Sequence, residues 1–187
     1  MLIAALLVGT AAPAGARELA AGNVRLAPGD GGDAALLLVE GGRRRSVACD
    51  PLPGAWGLWA DDVDGDGQAE VLVALRKPAR FDPVLENRLH VYALRGGRCV
   101  PLWRGTRLAG RFERIGRVRG GRLRALERIG RGRRWIARYR WTGFGYAVER
   151  VLWRGAGQPP ARLVRGLTGR DPHAPADRVP RARKVGR

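Results

Sequence analysis

The chain has 187 residues, 45% of them hydrophobic and 6% aromatic, with a formal net charge of +18 and two cysteines. That length allows one ordinary domain with tails, and the apolar content suffices for a core, which excludes a wholly disordered chain. So positive a charge points to nucleic acid, anionic membrane or acidic polysaccharide as partners, although lysine occurs only at Lys77 and Lys184. Beside abundant Gly, Ala and Arg, that scarcity fits a coding bias that places Arg wherever a solvated face tolerates it.

In chain order, the apolar run from Leu2 to Ala16 ends in Ala14-Gly15-Ala16, a small-x-small pattern of the kind that closes a secretory signal. Residues 1–16 are therefore expected to be a signal peptide, making the mature protein secreted or periplasmic. No Lys or Arg precedes the run, and it is short for a bilayer span. No cysteine lies near the cleavage point, which disfavours a lipid anchor. Residues 17–33 form a lead-in.

Period-two alternation bounded by turn residues predicts strands at 34–40, 70–75, 88–94, 98–103, 123–128, 135–141 and 146–153. Gly41-Gly42, Gly96-Gly97 and Gly143-Phe144-Gly145 are the breaks between them, where Gly supplies the positive φ of tight turns. A repeat emerges when these are aligned. Strand, Gly turn and strand recur from Leu36 to Cys49, from Leu89 to Cys99 and from Trp135 to Leu152, and Trp103-Arg104-Gly105 returns as Trp153-Arg154-Gly155. The pitch, about fifty residues, falls in the range of propeller-like β repeats. The even cysteine count permits a Cys49–Cys99 disulfide, whose formation depends on how close the two come in the fold. From residue 156 to 187 the composition shifts to Pro, Arg and Gly, and a disordered basic tail is expected.

The chemistry concentrates in Asp62-Val63-Asp64-Gly65-Asp66-Gly67-Gln68-Ala69-Glu70. A hard cation takes oxygen ligands at alternate positions of a short loop, and Asp62, Asp64, Asp66, the Gln68 carbonyl and Glu70 have that spacing for calcium (Ca2+). Without a cation the four carboxylates repel one another. An EF-hand would need a bidentate Glu at the twelfth position, where this chain has Val73. A strand-like run, Val71-Leu72-Val73-Ala74-Leu75, follows in place of a helix. One repeat further on, Arg117-Val118-Arg119-Gly120-Gly121 occupies the corresponding place with its carboxylates gone.

This loop-then-strand motif resembles the FG-GAP and VCBS-type repeats of integrin-α-like β-propellers, over residues 34–155. The resemblance implies an all-β fold of about three propeller-blade-like antiparallel repeats, forming a small or incomplete β-propeller or sandwich, with calcium held in the turn that joins two strands of a blade. It implies a binding or scaffold module with a protein or glycan partner and no small-molecule cofactor. Closed propellers have four to eight blades, so self-association is one way for a chain of this length to complete a ring.

Two alternatives belong to other classes. Between Arg104 and Arg140 the only acids are Glu113 and Glu127, and in 135–141 the alternation sets Trp135, Ala137, Tyr139 and Trp141 on one face with Ile136, Arg138 and Arg140 on the other. Arg134, Arg138 and Arg140 are thus candidate anion-binding residues for nucleic acid, acidic polysaccharide or an anionic envelope. An enzyme is not expected. Ser46 is the only serine, His90 and His173 are the only histidines, and no cluster has zinc spacing.

Overall fold

The computed structural model describes residues 18–29, 33–105, 107–118, 120–130, 132–167 and 169–170. The expected signal peptide at 1–16 and the tail beyond 170 lie outside the described residues. The elements are β1 (Leu19–Ala21), β2 (Val24–Pro28), β3 (Asp33–Glu40), β4 (Arg43–Pro53), β5 (Gly57–Asp61), β6 (Glu70–Ala79) and β7 (Asp82–Arg95). They continue with β8 (Arg98–Arg104), β9 (Arg111–Val118), β10 (Arg122–Arg128), β11 (Arg134–Trp141), β12 (Tyr146–Gly155), a single helical turn α1 (Ala161–Val164) and β13 (Gly169–Arg170).

The fold is all-β, and its unit is a four-stranded antiparallel meander that occurs three times, as β1–β4, β5–β8 and β9–β12. These are the blade-like repeats expected from the sequence. Each aligned segment supplies the third and fourth strands of one meander, with a Gly-bearing turn between them. The first two meanders join into one sheet of order β1-β2-β3-β4-β8-β7-β6-β5. Their joint is parallel and short: Ala48 pairs with Arg98, and the Ala48 amide donates to the Gly97 carbonyl at 3.0 Å. At the far ends β1 comes back beside β5, so the eight strands nearly close into a barrel. The third meander forms the second sheet, order β12-β11-β10-β9-β13.

The core lies on both sides of β6 and β7. Val71, Val73 and Leu75 pack with Val24, Leu26, Leu36, Val47 and Leu52 of the first meander, whereas Leu72 and Ala74 face Phe112, Ile115, Leu123 and Tyr139 of the third. A strand covered on both faces has no polar side, which is why this run is continuously apolar. The recurring Trp-Arg-Gly has a packing cause. A Cβ added at Gly105 would fall 2.4 Å from the Trp103 ring, and one at Gly155 would fall 2.6 Å from that of Trp153. The two residues share a strand face, and only Gly lets the indole lie flat over it.

Several regions depart from expectation, among them β5 at Gly57–Asp61, where no strand was expected. The lead-in at 17–33 contains β1 and β2, whose Val24 and Leu26 are core residues. Residues 43–53 and 111–118 are strands although Arg interrupts their alternation. The tail expected to be disordered from 156 instead continues the fold as far as 170: Leu163, Val164 and Leu167 cover Leu126, Ile136, Leu152 and Trp153 on the outer face of the second sheet, and Gly169 and Arg170 pair with β9. Three apolar residues within five positions bury enough surface to order that segment despite its Pro and Arg neighbours.

Candidate metal centre and the arginine face

The acidic loop is the connection between β5 and β6, closed by the Asp61–Glu70 pair at its base. Gly65 and Gly67, at φ 85° and 86°, turn the backbone inward so that the loop's own amides meet its carboxylates. The Asp62 carboxylate accepts from the Gly65 and Gly67 amides at 2.7 and 3.1 Å, Asp64 accepts from the Asp66 amide at 3.1 Å, and Asp66 accepts from the Gln68 amide at 2.8 Å. Such Asx turns set each side chain's direction. Val63 points the other way, into the core beside Tyr139, and its amide donates to Glu70 Oε2 at 2.9 Å.

Three of the expected ligands converge. Asp62, Asp64 and Glu70 each offer an oxygen, and these lie within 4.8 Å of one another. The Asp66 carboxylate is outside that group, turned to the Gln68 amide, and Gln68 is exposed. Glu70 is the unusual member, only 2% exposed. Burial pushes its carboxyl above the ordinary range, and the charges of Asp64, Asp66 and Asp62 push in the same direction against the Val63 hydrogen bond. A carboxylate set of this kind is hard-oxygen chemistry, the donor type that suits calcium or magnesium rather than a thiolate-seeking metal. A cation here would relieve the repulsion that raises Glu70.

The arginine face is built differently. Arg134 and Arg128 share Glu113, at 3.1 and 2.6 Å, and Arg138 and Arg122 share Glu149, at 2.7 and 3.1 Å. The Arg122 and Arg138 guanidinium groups hold the Glu149 carboxyl below its usual value. Arg140 is exposed and stands opposite Arg122 on β10. Two of the three candidate anion ligands therefore already have carboxylate partners within the fold.

Sequence reasoning did not anticipate the burial of several polar groups, among them Arg88, Glu127 and His90. Glu127, fully buried, accepts from the Tyr139 hydroxyl and the Gly110 amide, tying the residues just before β9 to the second sheet; burial raises its carboxyl and also raises the Tyr139 phenol. Its only signal in the sequence was a lone acid following Leu126 in a strand of mixed Arg and apolar residues. His90, 7% exposed, contacts the Tyr92 hydroxyl through Nδ1 at 2.9 Å; burial, with Lys77 and Arg104 nearby, brings its pKa down to about 4.

Cys49 and Cys99 are bonded, with Cα atoms 4.8 Å apart across the β4–β8 joint. No family model, curated protein or solved structure matches this chain.

Proposed function

We propose that this protein is an exported, calcium-stabilised β-repeat module of the FG-GAP/VCBS type that serves as a binding or scaffold domain and has no catalytic role. The observation that carries the reading is the convergence of Asp62, Asp64 and Glu70 at the turn joining the first two strands of the middle meander. The buried, raised Glu70 supports it, because an acid placed there with three others nearby is a liability that a divalent cation would offset. Export is supported by the Cys49–Cys99 disulfide, a bond that persists in oxidising compartments. Calcium would be held by Asp62, Asp64 and Glu70 and would pin the β5–β6 turn; its contribution is structural.

The test is the thermal midpoint of the mature protein in EGTA against millimolar calcium, alongside a variant carrying Asp62→Ala and Asp64→Ala. With dissociation constants of about 10⁻⁴ to 10⁻³ M, as in extracellular calcium modules, millimolar calcium adds roughly 0.4–1.4 kcal/mol by mass action. That corresponds to a rise of about 1–5 °C, absent in the double variant. An equal midpoint with and without calcium would overturn the reading.

A further inference from the structure

Strand β6 runs from the acidic loop at Glu70 to a hairpin apex at Ala79, so the two ends of the middle meander lie about 30 Å apart. The neighbouring strands stop short of that apex: β5 begins at Gly57, opposite Ala74, and β8 ends at Arg104, opposite His90. Residues 77–86 therefore run on as a two-stranded hairpin turning through Arg80 and Phe81. On it are exposed three large apolar side chains, Phe81 (83%), Leu85 (55%) and Val84 (46%).

We propose that this apex inserts into the interfacial region of an anionic lipid bilayer. The apolar residues crown a narrow projection rather than a flat face, a shape suited to wedging between headgroups. Pro78 and Pro83, both exposed, lack amide hydrogens, which removes donors that a partner strand would need for sheet addition. Cations accompany the wedge. The Arg80 guanidinium lies 5.3 Å from the Phe81 ring centroid, and Arg107, Arg111 and Arg128 line a cleft of about 550 Å³ at the same end. The acids there include Asp82, Glu86 and Glu113, each met by an arginine of the fold, Asp82 by Arg88 and, at 4.0 Å, by Arg107, Glu86 by Arg111 and Glu113 by Arg128, while Glu127 lies buried beneath the cleft on the Gly110 amide. Lys77 and Arg80 on the hairpin itself add positive charge to this end. Apolar insertion combined with a basic collar is what gives stable attachment to anionic leaflets, since one of these signals alone binds only marginally.

The hairpin is also held rigid in advance. An isolated two-stranded hairpin is marginally stable. Here Arg88, with no exposed surface, donates to the carbonyls of Lys77 (3.1 Å), Asp82 (3.2 Å) and Val84 (2.8 Å) and to the Asp82 carboxylate (2.9 Å). Little ordering entropy is then left to lose on insertion.

Co-sedimentation in EGTA tests this independently of the acidic loop, using vesicles of phosphatidylcholine alone and of phosphatidylcholine with about one third phosphatidylglycerol. Three proteins are compared: the mature chain, a variant with Phe81→Ser and Leu85→Ser, and a control with Phe144→Ser, which removes an equally exposed phenylalanine (85%) in the β11–β12 turn at the opposite end. All three should unfold at the same temperature, because these side chains are solvent-exposed. The mature chain and the control should partition onto the phosphatidylglycerol vesicles, with the apex variant reduced about tenfold or more. Equal binding by the apex variant would mean adsorption through net charge alone and would overturn the proposal. So would failure of the mature chain to bind at low salt, which would leave the apex to a protein partner.

Discussion

The Val63 carbonyl oxygen rests against Gly121, so close that a Cβ on Gly121 would fall 2.3 Å from it. Gly121 belongs to the β9–β10 turn, the counterpart in the third meander of the acidic turn in the second, and its amide lies 3.4 Å from the Asp61 carboxylate. The copy without carboxylates thus buttresses the copy that has them.

Replacing Gly121 with Ala should therefore cost more than the ordinary penalty for its φ of 66°. A left-handed Ala costs about 1–2 kcal/mol, and the collision with backbone brings the expected loss to roughly 3 kcal/mol. Gly65→Ala is the comparison. Its φ is 85° but nothing lies within 4 Å, so only the first penalty of about 1–2 kcal/mol applies. Urea unfolding of both variants measures the difference, and equal losses would show that the turn can shift away from Val63.

The disulfide spans 50 positions and bridges a parallel joint that is one residue pair long. Loop-closure entropy for such a cross-link corresponds to about 4 kcal/mol. Converting both Cys49 and Cys99 to Ser should lower unfolding stability by that order. The exchange of amide hydrogens should rise first at β4 and β8, which the bond holds together.

His90 gives a pH dependence whose direction follows from its depressed pKa, about 4 against an ordinary 6.5. Above pH 6.5 the imidazole is neutral in both folded and unfolded chains, and its environment exerts no penalty. Between 6.5 and 4 only the unfolded chain takes up the proton, so stability falls as pH falls, by up to about 3 kcal/mol. Tyr92, Lys77, Arg104, Asp50 and Arg88 form its surroundings. Glu70 and Glu127, raised by burial, act in the opposite sense, losing stability as pH rises through their folded values. They are common to the parent and to His90→Gln, so the difference between the two stability curves isolates the histidine. A difference that does not change between pH 7 and 4.5 would contradict this placement of His90.

Leu167, 7% exposed, packs with Leu126 and Ile136 beneath α1. Leu167→Ala should destabilise by about 2–3 kcal/mol, and ending the chain at residue 155 should lower the thermal midpoint further by uncovering Trp153 and Leu152. An unchanged midpoint in the shortened chain would show that the second sheet does not depend on this cover.

Much of the fold was legible because it is written locally. Each of the seven strands expected from alternation lies within an observed strand, and the fifty-residue pitch corresponds to the meander repeat. Strands β4 and β9 were hidden because Arg stands at positions where a stem can lie on the sheet while the charge stays in solvent, which blurs a two-residue period. The spacing of Asp62, Asp64 and Glu70 was readable from the chain, whereas the exclusion of Asp66 from their group was not, since it depends on which amide each carboxylate accepts from.

By itself, then, the sequence determined the strand class, the turn positions, the repeat and the carboxylate spacing, all set by interactions between residues near in the chain. Only the tertiary structure decided the rest. Cys49 meets Cys99 because β4 and β8 align in parallel. Glu70 is buried because two meanders enclose β6, and Phe81 stands clear because β5 and β8 end before the hairpin does. Proximity across fifty residues and relative strand length are properties of packing, and no periodicity in the chain encodes them.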